Sequence, residues 1–101
     1  MKTVFGAVSL HLKVRLFQPF SGIAGRNEVS LAVDQGNLGV LLRKLCSTYP
    51  AMKDQVYDRE GKVWDHLNIF VNQVAVTSDE ETTKPLRDGD EIMIMVAVAG
   101  G

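Results

Sequence analysis

At 101 residues, with 46% hydrophobic and 23% charged residues, the chain has the size and balance of one folded domain and no room for a second ordinary core. One cysteine and two histidines exclude an internal disulfide framework and leave too few soft ligands for a structural zinc site, so no metal is expected and a reducing cytoplasm is the default location. A net charge of -1 lacks the basic face that a nucleic-acid partner requires, and no apolar run approaches the roughly 20 residues of a membrane helix.

The first nine residues read as an extension. MKTVFGAVS has one early lysine and a short apolar stretch that His11, Lys13 and Arg15 soon interrupt, so it is expected to belong to the mature chain. From Leu10 to Phe17, LHLKVRLF alternates Leu10, Leu12, Val14 and Leu16 with His11, Lys13 and Arg15, the period of a half-buried strand. Pro19, Ser21-Gly22 and Gly25-Arg26-Asn27 read as a long connection into EVSLAV, a second strand on which Val29, Leu31 and Val33 share one face. Leu38, Leu41, Leu42, Leu45, Cys46 and Tyr49 then recur at helical spacing, with Asn37 as the expected N-cap and Pro50 as the stop. Residues 51–66 carry charges and little periodicity and predict a loop with at most a short helical turn.

LNIFVN predicts a strand, Asn72-Gln73 a tight turn, and VAVT a returning strand. SDEETTKPLRDGDE is polar and turn-rich, with Asp88-Gly89 its sharpest punctuation. EIMIMVAV, from Glu91 to Val98, is almost continuously apolar and predicts a central strand covered on both faces. Two strands, a crossing helix, two strands, a polar loop and a buried last strand predict an α+β fold of the β-grasp type, a mixed sheet of four to five strands packed on one main helix. The expected division is an extension over 1–9, the domain over 10–98, and a flexible Ala-Gly-Gly tail over 99–101.

Four stretches, KVRLFQPFSGIAGRNEVSL, NLGVLLRKLCSTYP, HLNIFVNQ and above all PLRDGDEIMIMVAVAGG, together resemble the ubiquitin-like sulfur-carrier family. That family includes the small subunit of molybdopterin synthase, the thiamin sulfur carrier and carriers for cysteine synthesis. The resemblance runs from about Leu10 to Gly101. It implies a carrier or cosubstrate rather than an enzyme, with no cofactor bound and ATP consumed by a partner. A ubiquitin-activating-type adenylyltransferase/sulfurtransferase would adenylate the carboxylate of Gly101 and convert it to a thiocarboxylate. The sulfur would then pass to an acceptor enzyme such as the large subunit of molybdopterin synthase. The AVAGG ending and the chain length favour the molybdopterin branch over the thiamin or cysteine branches. A modifier that forms isopeptide bonds to lysines, and an interaction module without tail chemistry, are the other readings.

Glycine has no Cβ and accepts nearly any φ, so Gly100 and Gly101, with Ala99 before them, suit a tail threaded into a narrow, water-excluding channel. From Val98 onward four residues reach at most about 13 Å. Phe17, Phe20, Leu86 and the outward side of Met93 to Val98, including Val96 and Val98, are either core or a docking patch beside the tail. The near-zero charge is also uneven: up to Lys53 there are seven basic and two acidic residues, and from Asp54 onward four basic and ten acidic. The acidic run, with Asp88 and Asp90, is either a solvated face or a steering surface for a basic partner. Cys46 with His11 or His66 is a conceivable nucleophilic pair that nothing local supports. Its place on the apolar helix face predicts a buried thiol, the histidines read as solvated, and Trp64 reads as a loop residue capping the core.

Overall fold

The computed structural model describes residues 9–34 and 36–96. Strict alternation over Leu10–Leu16 makes strand β1, with Leu12, Val14 and Leu16 buried and His11, Lys13 and Arg15 exposed. Strand β2, Glu28–Val33, returns antiparallel, with Arg15 opposite Glu28 and Leu10 opposite Val33. Between them lies a short helix, α1 (Phe20–Ala24), where the sequence predicts only a turn-rich connection. One helical turn seats the fully buried Phe20 while its backbone stays paired, Gly25 N–H donating to the Ser21 carbonyl.

Helix α2, Leu38–Thr48, begins where Asn37 Oδ1 accepts the Val40 N–H at 2.8 Å. Its leucines 38, 41, 42 and 45 are all fully buried, so the apolar stripe read from the spacing is the face laid on the sheet. Pro50 opens a 3-10 turn, Pro50–Met52, followed by the one-turn helix α3, Lys53–Val56, which place Met52 and Val56 in the core. Strand β3 (Leu67–Val71) turns through Asn72 and Gln73, both at positive φ, into β4, which is only Val74–Ala75. A 3-10 turn at Ser78–Glu80, closed by a Thr77/Glu80 capping box, starts the long connection to β5, Glu91–Val96.

The sheet order is β2-β1-β5-β3-β4, with β1 and β5 parallel and the remaining pairs antiparallel. This is the β-grasp arrangement expected from the element order. The last strand is central, but the expectation of cover on both faces is corrected. Ile92 and Ile94 are fully buried beneath the helices, whereas Met93 and Met95 are half-buried on the opposite face, which no helix among the described residues covers. A continuous apolar run reads alike for two covered faces and for one covered face plus an exposed apolar patch.

The 81–87 segment is strapped across the start of α2: Leu38 N–H donates to the Lys84 carbonyl at 2.9 Å and Leu86 N–H to the Gly36 carbonyl at 2.7 Å. At Gly39 a Cβ would stand 2.7 Å from the Thr82 carbonyl oxygen, so the strap's backbone occupies the space a side chain would need. Gly39→Ala is therefore expected to cost roughly 1–3 kcal/mol, as overpacking against backbone does. Chemical denaturation measures it, and an unchanged midpoint would mean the strap can lift away freely.

Candidate functional site

The sheet face away from α2 carries one row that crosses all five strands: Glu28, Arg15, Met93, Phe70 and Ala75 are successive cross-strand partners. Met95 lies beside Asn68 in the next row, and Lys13 lies between Ser30 and Glu91 in the row on the other side. Two half-buried thioethers and a half-buried aromatic ring, bordered by an arginine and a lysine, thus share a surface that no helix among the described residues covers. Such a surface suits docking, because flexible sulfur side chains adapt to a partner's shape and arginine adds directional contacts.

Strand β5 carries the chain across this surface toward its C-terminus. Val96, the last described residue, is half-buried and opposite Leu67, at the end of the sheet where β1 gives way to Phe17. Val98, Ala99, Gly100 and Gly101 lie outside the described residues. The proposed patch residues part company here. Phe17 is 38% exposed, while Phe20 (0%) and Leu86 (5%) belong to the core and are not available to a partner. Phe20 is claimed by α1, and Leu86 by the strap that closes over α2.

Asp88 and Asp90 also have a different place from the one a steering role near the tail requires. They stand at the start of β5, and six residues of strand, about 20 Å, separate that end from Val96. Their carboxylates fasten the turn that launches the strand. Asp88 Oδ1 accepts from the His11 backbone N–H at 2.7 Å and lies 3.3 Å from His11 Nδ1, and Gly89, at φ 87°, donates its N–H to the His11 carbonyl. The left-handed backbone at Gly89 brings its N–H to that carbonyl, and glycine holds it without strain. Asp90 Oδ1 accepts from Asn72 Nδ2 at 2.9 Å and its Oδ2 from Arg87 N–H at 2.8 Å, while Asn72 Oδ1 accepts from Glu91 N–H at 3.0 Å.

The His11 backbone hydrogen bond, assisted by the ring, holds the Asp88 carboxyl below the usual aspartate range. A depressed folded-state pKa adds stability above the ordinary carboxylate range, and that stability is lost as pH falls through the folded value. Asp88→Ala is expected to lower the melting temperature at neutral pH and to converge with the parent in acid. Parallel thermal melts across pH test this, and a gap that persists at the lowest pH would assign the loss to something other than the ionised carboxylate.

Cys46 is 9% exposed and lines a groove of about 800 Å³ with Arg43, Ser47, Lys53 and Tyr57 and no histidine. Burial pushes its thiol up to about 11, against the opposing pull of Lys53, so at neutral pH it is protonated and a poor nucleophile. His11 is engaged with Asp88, and His66 stacks on Trp64 at 5.2 Å between ring centroids. The conceivable Cys-His pair is therefore not assembled. Trp64 packs against the core from its loop and donates Nε1–H to the Asp54 carbonyl.

Arg15 and Phe70 were not singled out by sequence reasoning as docking residues. The signal was the parity of each strand: both fall on the alternate positions of LHLKVRL and LNIFV, and the register of β5 aligns them on Met93.

Comparison with known proteins agrees with this architecture. The chain is 31% identical over 88 residues to small archaeal modifier protein 1 of Haloferax volcanii, spanning 86% of this chain and 97% of that one. It is also 31% identical over 88 residues to the sulfur carrier protein CysO of Mycobacterium tuberculosis, spanning 85% and 90% respectively. The crystal structure of the H. volcanii modifier superposes with a TM-score of 0.80 at 27% identity, over 88% of this chain and 99% of that one. The ThiS family model matches residues 14–101, which takes in nearly the whole domain and the Gly-Gly ending, and the chain belongs to that family of small ubiquitin-like carrier proteins.

Proposed function

We propose that this protein is a cytoplasmic sulfur carrier that works through the carboxylate of Gly101. The observation that carries the reading is the Ala99-Gly100-Gly101 ending, which follows the central strand β5 in sequence after two intervening residues. A carboxylate is a poor electrophile until its oxygen becomes a leaving group. Adenylation by a partner forms a mixed anhydride with AMP and releases pyrophosphate, and hydrosulfide from the sulfur donor then attacks the carbonyl carbon and displaces AMP to leave the thiocarboxylate. The carrier supplies the carboxyl group and a docking surface, for which the Met93–Phe70–Arg15 row is suited.

Incubation with its activating enzyme, ATP and a sulfur donor is expected to add the mass of sulfur minus oxygen at Gly101. An unmodified mass under those conditions would refute the reading. Supplying the loaded carrier to candidate acceptors identifies the pathway. The AVAGG ending and chain length favour the large subunit of molybdopterin synthase, with cysteine- or thiamin-forming enzymes as the other outcomes.

A second reading is favoured by the modifier name of the H. volcanii relative. The same acyl-adenylate can be attacked by a lysine amine to form an isopeptide. Gly-Gly remnants on lysines of other proteins would establish it, and their absence would confine the chain to sulfur transfer.

A further inference from the structure

The two edges of the sheet differ. On one side the terminal strand β4 is two residues long, too short to template another strand. On the other, β2 runs six residues as the terminal strand, without proline. The ladder to β1 shows which of its backbone groups are left free among the described residues. Leu16 N–H donates to the Asn27 carbonyl, so by antiparallel alternation Val29, Leu31 and Val33 turn their N–H and C=O groups inward to β1. Glu28, Ser30 and Ala32 turn theirs outward, and all three residues are exposed.

The charges along this edge are polar in sense: exposed Arg26 precedes the strand and exposed Asp34 follows it, with no ion partner for either among the described residues. A strand laid antiparallel with Ser30 facing Ser30 brings Glu28 against Ala32 of the second copy and Arg26 against Asp34 of the second copy. Each contact occurs twice about the two-fold axis, no like charges oppose, and every outward N–H and C=O finds a partner. A parallel arrangement would instead set like charges together.

We infer that the β2 edge is an isologous dimer interface, pairing with a second copy of this chain to continue the sheet across two molecules. A six-residue edge pairing makes a contact at the small end of specific interfaces, so association is expected to be weak, with a dissociation constant of about 10 μM to 1 mM. The surface around Met93 stays open in the dimer, since β2 and β5 are separated by β1.

Sedimentation equilibrium over that concentration range tests the inference. The average mass is expected to rise from that of one chain toward twice it. Ser30→Pro removes an outward N–H without touching the β1 ladder, so circular dichroism should remain that of the parent while the mass stays monomeric. Arg26→Asp or Asp34→Arg alone is expected to weaken association by about 3- to 10-fold through two opposed like-charge contacts, and the double exchange is expected to restore it. A monomer at every concentration, a dimer that survives Ser30→Pro, or a double exchange as weak as the single changes would overturn it. So would uptake of an extended peptide of other sequence on this edge, beside the groove of Val33, Val40 and Lys44, by a chain that never self-associates.

Discussion

A chain lacking Gly101 is expected to be activated at least about 100-fold more slowly than the parent while melting at the same temperature. Truncation moves the carboxylate back by one residue, about 3.5 Å along an extended tail, and a misplacement of even 1 Å at a reacting centre can cost on the order of 100-fold. Stability should hold because the buried hydrophobic set among the described residues runs from Leu12 to Ile94 and makes a complete core beneath the sheet. Gly100→Leu probes a different feature with the same readout, since the carboxylate keeps its reach but a branched side chain must enter the channel that excludes water from the acyl-adenylate. Pyrophosphate release with the activating enzyme and ATP measures both variants. Full activity in the truncated chain would remove Gly101 from the chemistry, and full activity in Gly100→Leu would remove the narrow channel.

What the sequence made legible followed from period and punctuation. β1, β2 and α2 were readable because each has one wet and one dry face, so Leu12-Val14-Leu16 and Leu38-Leu41-Leu42-Leu45 announce their own geometry. The Asn37 cap and the Asn72-Gln73 turn were readable because those residues satisfy local backbone needs. Tertiary facts were less accessible. Nothing local in FQPFSGIAG separates Phe17, at the surface, from Phe20, in the core. Similarly, Asp88 and Asp90 read as part of a solvated or steering charge run because their partners, His11 and Asn72, are distant in sequence. The uncovered apolar face of β5 was hidden by the uniformity of EIMIMV, since a period-two signal vanishes when both faces are apolar.

The contrast between the two phenylalanines also separates folding from docking. Phe20→Ala is expected to cost about 3–5 kcal/mol, because a fully buried ring leaves both its transfer energy and a cavity behind. Against the roughly 5–15 kcal/mol available to a domain of this size, that is a large fraction of the total and a clear drop in the denaturation midpoint. Phe17→Ala, at a position 38% exposed, should change stability by less than about 0.5 kcal/mol. Its effect belongs to association instead: Phe17 follows Leu16, which pairs with Ile94, at the sheet end to which β5 runs, where the proposed function requires a partner to bind. Its loss is therefore expected to raise the KM for the carrier in the activation assay by about 10-fold, the worth of about one partner-facing aromatic contact, and to leave kcat near the parent value. Denaturant titration and carrier-dependent activation kinetics on the two variants give the test. Equal stability losses would mean Phe17 is packed as firmly as Phe20, and an unchanged KM for Phe17→Ala would remove this end of the sheet from the docking surface.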